Sequence, residues 1–211
     1  MRSRRILIAL AAVNAVLIAA LGFTVVRARS AEWHGTLLDP PMTAQSFELV
    51  SARGPVSSAD LRGRWTVLFF GYTRCPDACP LTLEKLRRVH DALGDDAEQV
   101  QVALVTVDPE HDTPDRLAGY VERFDPSFLG LTADAPTIEA VTKAYGIYHA
   151  GSDPAGAAAD GHAAHAPPRN ALIDHTTHVL VLDRDGRLAM LWGPELTAEQ
   201  MSGDLRRLLR R

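Results

Sequence analysis

The chain has 211 residues, with 22 Lys and Arg against 26 Asp and Glu for a formal net charge of −4, and 46% of its residues are hydrophobic and 23% charged. That length suits one well-buried domain and is short for two, and the composition excludes global disorder. Five basic residues lie at or before Arg29 and every acidic one lies after it, so the remainder holds 17 basic against 26 acidic residues, a net −9 that excludes a nucleic-acid binder, whose partner demands a basic face.

Ile6 to Val26 is a run of 21 residues without a charge, preceded by Arg2, Arg4 and Arg5. About 20 apolar residues span a bilayer as a helix, whereas the core of a cleavable signal peptide is shorter, roughly 7–15 residues. The run therefore reads as an uncleaved anchor, with a cleavage site near Ala28 and Ser30 as the alternative. No cysteine stands nearby to carry a lipid. Arg27 and Arg29 follow the run, so the positive-inside bias toward a cytoplasmic N-terminus is slight. The expected organisation is an anchor over 1–29, a polar tether without fold over 30–44, and one domain over 45–211. The expected location is a bacterial-type inner membrane, crossed once, with the domain in the periplasm.

Phe47 and Leu49 alternate with polar neighbours ahead of Gly54 and Pro55, which predicts a short hairpin turning there and edging the main sheet. Trp65 to Gly71 and Val100 to Asp108 are nearly continuous apolar runs, as in strands buried on both faces of a parallel sheet. Amphipathic stretches lie between and after them. One follows Pro80, one is opened by Thr113 and Pro114, one ends on Gly146, and one begins at Thr197 with Gln200 three residues on, a capping box. "HVLVLDRDGRLAMLWG" predicts another hairpin with Asp185-Gly186 as its turn. Strands alternating with helices and closing on a hairpin and a helix give an α/β sandwich with a central mixed sheet, the shape of thioredoxin-like domains. Gly151 to Asn170, rich in Ala, Gly and Pro, has no periodicity and reads as a mobile insertion.

The only cysteines are Cys75 and Cys79, in "FFGYTRCPDACPLTLEKL". A disulfide between them closes a five-residue loop, so it adds little stability through loop entropy and suits chemistry better than stapling. Pro80 fits the first turn of a helix and disfavours helical geometry at Cys79 before it. The pair is then a loop at a strand end that feeds a helix N-terminus, where free N–H groups and the helix dipole favour thiolate. Three intervening residues leave room for both sulfurs to face one metal ion. A further ligand has to come from elsewhere, and the chain has eight histidines. His175, in "IDHTTHVLVLD", lies at a strand entry with Asp174 placed to orient an imidazole; taken alone it reads more readily as a partly buried histidine satisfied by backbone than as a ligand. His178 is an odd number of residues away, points to the other face of a strand, and reads as packing or surface. His162 and His165 in the insertion read as solvated, with transient metal capture as the alternative.

"FFGYTRCPDACPLTL", "VTVDPEHDTPDRLAGYVERFDPSFLGLT" and "IDHTTHVLVLDRDG" together resemble the Sco/SenC family of copper chaperones for cytochrome c oxidase, a likeness running from about Phe47 to Leu208. The resemblance implies a thioredoxin-like fold, one N-terminal membrane anchor, and a copper site made of Cys75, Cys79 and His175. Thiolates suit Cu(I), and imidazole suits either copper state. Pro76 and Asp77 match the family's loop; Asp108 and Pro109 are expected to shape the strand exit without a ligand role. The insertion is longer than expected of the family.

The implied function is delivery of copper, as Cu(I) or Cu(II), to the dinuclear centre in subunit II of the oxidase. Implied partners are that subunit, a thioredoxin-like reductant that keeps the cysteines reduced, and other periplasmic copper chaperones. The competing reading is a thiol-disulfide oxidoreductase with Cys75 and Cys79 as its redox-active pair. A peroxiredoxin is disfavoured, since Leu68 and Tyr72 stand where that pattern needs Pro and Thr. A structural zinc normally takes four ligands.

Overall fold

Two heptapeptides with every residue buried, β4 (Trp65–Gly71) and β5 (Val100–Thr106), lie side by side in parallel, in register from Trp65 opposite Val100 to Gly71 opposite Thr106. Their unbroken apolar character is what a strand covered on both faces requires. The computed structural model describes residues 14–18, 33–147 and 178–211, and the chain divides into two units, 1–33 and 34–211. In the first unit residues 14–18 are helical, and Val16, Leu17 and Ile18 are exposed. Among the described residues no helix is long and apolar enough to cross a membrane; most of the Ile6–Val26 run, and the whole of the 151–170 insertion, lie outside them.

In the second unit β6 (Leu129–Leu131) extends the sheet in parallel beyond β5. On the other side of β4 the hairpin of β7 (Val179–Leu182) and β8 (Leu188–Trp192) runs antiparallel, and β1 (Thr36–Met42) closes that edge against β8. The order β1-β8-β7-β4-β5-β6 is a mixed sheet of the thioredoxin-like kind. The β7–β8 turn forms as the sequence predicts, with Gly186 at a φ of 79° that glycine adopts freely.

The helices are α1 (Ala78–Leu93), α2 (Pro114–Val121), α3 (Ala135–Ala144) and α4 (Ala198–Leu208). Thr113, Asp134 and Thr197 each cap a helix by accepting the N–H three residues on, and Gln200 completes the capping box of α4. α1 buries Cys79, Leu83, Leu86, Val89 and Leu93, and packs against α4. Each large apolar side chain so buried contributes about 1.5–3 kcal/mol. The Glu84–Arg87 and Glu84–Arg88 ion pairs on its open face are screened by solvent and add little. Packing, then, holds α1 in place.

Three sequence expectations are corrected. The tether over 30–44 is not without fold, because Thr36–Met42 is the edge strand β1. Its Pro40 and Pro41 lack the N–H of a ladder, yet an edge tolerates this, and the register shift between Leu37 and Met42 takes them up. The early hairpin, β2 (Glu48–Ser51) with β3 (Gly54–Ser57), does not edge the main sheet but forms a separate two-stranded one, tied to the end of β6 by a bridge between Val50 and Thr132. Its reversal falls at Ala52-Arg53, since Ser51 pairs with Gly54, and Gly54 and Pro55 already belong to β3.

Candidate metal centre

β4 ends at Gly71 and α1 begins at Ala78, and the six residues between them carry Cys75. Cys79 lies inside the first turn of α1, closed by the Leu81 N–H donating to the Asp77 carbonyl at 3.2 Å. The helix thus starts two residues earlier than Pro80 suggested, and Pro80 fits because N–H groups of a first turn have no intrahelical acceptor to lose. Asp77, at the capping position, makes no side-chain capping bond. The Cys75 sulfur does this instead, accepting the Cys79 N–H at 3.3 Å. The Cys75 N–H in turn donates to the Tyr72 carbonyl at 3.3 Å, closing the loop.

No disulfide joins the two cysteines, and Cys75 is half-buried and Cys79 fully buried. Gly71 is required beneath them: a Cβ there would stand 2.9 Å from the Cys79 sulfur and 3.0 Å from the Phe69 ring. Burial pushes the Cys79 thiol up, a backbone hydrogen bond from Tyr72 opposes this, and the neighbouring Cys75 sulfur and Asp112 carboxylate push it up further. For Cys79 desolvation therefore outweighs the helix N-terminus that the sequence suggested would favour thiolate. A metal ion taking this sulfur displaces its proton.

The loop is held from the end of β5, the strand parallel to β4. Asp112, fully buried, accepts the Thr73 N–H at 3.0 Å, the Thr73 hydroxyl, and the Thr106 hydroxyl at 2.7 Å. Asp108 accepts two hydrogen bonds from the Arg74 guanidinium, at 2.8 and 3.1 Å, and one from His111 Nδ1 at 2.8 Å. Burial pushes the Asp108 carboxyl up, but His111 and Arg74 together outweigh it and hold the group below its ordinary range. Asp108 shapes the strand exit as expected. Arg74, His111, Asp112 and Thr73 were not foreseen; the second aspartate of "DPEHD" was their only signal.

His178, directly before β7, is exposed. His34, His90 and His111 face Asp204, Asp125 and Asp108 at 3.2, 3.1 and 2.8 Å. His149, His162, His165 and His175 lie outside the described residues. Among the described residues no group of three or more His, Cys, Asp or Glu side chains is arranged to hold a metal ion. The described part of the site is the sulfur pair and the clamp behind it. The register nevertheless fixes where β7 starts: Val179 stands opposite Phe69, and Gly71 opposite Thr106. The exit of β4, the exit of β5 and the entry of β7 thus share one end of the sheet.

The family model described as SCO1/SenC matches residues 36–210. The mitochondrial SCO2 homologue of Bos taurus is 37% identical over 170 residues, which are 76% of this chain and 58% of that protein. The chain spans 58–60% of the length of the mammalian relatives it matches. Among solved structures, apo Sco1 from Thermus thermophilus is 33% identical with a TM-score of 0.69, covering 84% of this chain and 97% of that one. ScoI of Bradyrhizobium japonicum, solved with copper bound, is 33% identical with a TM-score of 0.65, covering 79% of this chain and 99% of that one. With a match that takes in the whole six-stranded sheet and the loop of Cys75 and Cys79, the chain belongs to the SCO1/SenC family.

Proposed function

We propose that this protein is a membrane-anchored copper chaperone that holds its cargo through Cys75, Cys79 and His175 and passes it to the dinuclear copper centre of cytochrome c oxidase subunit II. The observation that carries the reading is the pair of reduced thiols at the entry of α1, Cys75 in the loop and Cys79 in the first turn, the Cys75 sulfur oriented by the Cys79 N–H, in a family one of whose members has been solved with copper bound. The entry of β7 at the sheet end where the sulfur loop leaves β4 supports His175, a few residues upstream of Val179, as the third ligand. Two thiolates and an imidazole suit Cu(I) and tolerate Cu(II). Transfer is ligand exchange, in which sulfurs of the acceptor replace those of Cys75 and Cys79 one at a time. It requires reduced cysteines, hence a thioredoxin-like reductant, and the Ile6–Val26 run supplies the anchor that holds the domain on the periplasmic side of the membrane.

Titration of the reduced protein with Cu(I) and Cu(II) tests this directly. A one-to-one complex is expected, lost in Cys75→Ala and Cys79→Ala and weakened at least tenfold in His175→Ala; wild-type binding in all three variants would overturn the ligand set.

A second reading is favoured by the contact between the Cys75 sulfur and the Cys79 backbone, which keeps the two residues within exchange distance. As a thiol-disulfide oxidoreductase, the protein would reduce a disulfide at the oxidase copper site: two electrons and two protons pass to it as a Cys75–Cys79 disulfide forms. Transfer that needs both cysteines and is indifferent to His175→Ala would select this reading.

A further inference from the structure

A cleft of about 360 Å³ opens beside the sulfur loop, lined by Thr73 of that loop and by Arg116, Gly119, Tyr120 and Arg123. The last four recur at three- and four-residue spacing, from the first turn of α2 to the turn that follows it, and so share one helical face. Both arginines are exposed, and among the described residues neither forms an ion pair. Arg116 donates only to the His111 carbonyl, at 3.4 Å; Arg123 donates from Nε to the Tyr120 carbonyl, at 3.5 Å, and stacks on the Tyr120 ring. Between them Gly119 leaves a gap that the fold does not require. Its φ is not positive, and a Cβ there would meet no atom within 4 Å. Glycine inside a helix is less stable than alanine, so α2 keeps a weaker residue at a point where packing would accept a better one. The same wall holds the Tyr120 hydroxyl, buried and without a hydrogen-bond partner among the described residues, a rare state in native proteins. Thr73 spends its hydroxyl on Asp112 and is wall only.

We propose that this cleft receives a carboxylate from an acidic segment of the protein that exchanges metal with the sulfur loop, held by the guanidinium groups of Arg116 and Arg123 above Gly119. A guanidinium offers a carboxylate two parallel N–H donors. The occupant is a protein partner because Thr73 stands two residues from half-buried Cys75, so a surface that reaches that sulfur also covers the cleft. The chain after Arg29 carries a net −9 and repels an acidic partner over most of its surface, which leaves a local pair of cations to decide where and in what orientation it touches. The role given to the partner rests on the copper reading above; occupation of the cleft does not.

The test is titration of the full-length, metal-free protein with an acetylated hexapeptide of alternating Glu and Gly, followed by amide NMR, with the Gln and Gly peptide and inorganic phosphate as further arms. The Glu peptide is expected to shift the Thr73 and Gly119 amides, and the effect to weaken as salt is added. Its affinity is expected to fall at least tenfold in Arg116→Gln with Arg123→Gln. Arg187→Gln, at the β7–β8 turn where Leu182 faces Thr66 at the other end of the sheet, is expected to bind as wild type does. Gly119→Leu keeps both arginines and fills the gap, so it is expected to lose binding while its melting temperature stays level or rises. A peptide that shifts neither amide, or binds the cleft variants as it binds wild type, would overturn the inference. So would phosphate binding as tightly as the peptide, which marks a small-anion site, or a melting temperature in Gly119→Leu that falls together with binding, which marks a structural glycine. Failure of the wild type to take up copper, with the peptide still seated in the cleft, would remove the copper reading alone.

Discussion

Asp108 and Asp112 sit four residues apart on the turn after β5, and each holds a different part of the sulfur loop: Arg74 is bound by the first and Thr73 by the second. The contribution of Asp108 responds to acid. Its folded-state pKa lies below the ordinary 3.8, so between the two values the unfolded chain binds the extra proton and stability rises with pH. The contribution is complete above 3.8 and is lost as pH falls through the folded-state value. The melting temperature of Asp108→Asn is therefore expected to lie below wild type at pH 7 and to converge on it as the pH is lowered below the ordinary carboxylate value. A constant gap across that range would reject the assignment. Half-exposed Arg74 makes the effect salt-sensitive as well. At this scale the cysteines were legible because chemistry restricts which residue types can do their work. The clamp was not: Thr73 and Asp112 are joined by hydrogen bonds across two strands, and such pairing leaves no periodicity in the chain.

α2 reaches β6 through a gap that only a glycine leaves open. A Cβ on Gly130 would stand 2.7 Å from the Leu117 Cβ and 3.0 Å from its backbone carbon, and backbone does not yield as a flexible side chain does. Gly130→Ala is expected to destabilise the fold by about 1–3 kcal/mol, read as a lower denaturant midpoint. The strands β4 and β5, the β7–β8 hairpin and the four α-helices among the described residues of the second unit were legible, since continuous apolar runs, helical periodicity and caps are local signals. Two strands were not. β6 has three residues, too short for any period to show, and β1 contains two prolines that argue against a strand everywhere except at an edge.

Both ends of the second unit meet at one carboxylate. Asp204 of α4 is fully buried and accepts the His34 N–H at 3.1 Å, the Gly35 N–H at 2.9 Å and the Trp192 indole N–H at 3.2 Å. A chain beginning at His34 keeps this junction and is expected to unfold as wild type does in urea. One beginning at Thr43 loses β1 and leaves Asp204 with Trp192 alone, and is expected to unfold at lower urea by a difference of about 2 kcal/mol or more. Equal midpoints would show that β1 adds nothing. The central position of β4 also has a consequence in time. Its neighbour β5 follows soon after it in the chain, but β7 is made far downstream, and pairing so distant is slow to form. As the polypeptide is synthesised, the thiols of Cys75 and Cys79 emerge well before the strand that completes their side of the sheet. For that interval the Cys79 sulfur, fully buried in the finished fold, is open to any oxidant or stray metal, and a cell that makes this protein must guard the nascent chain as well as the finished one.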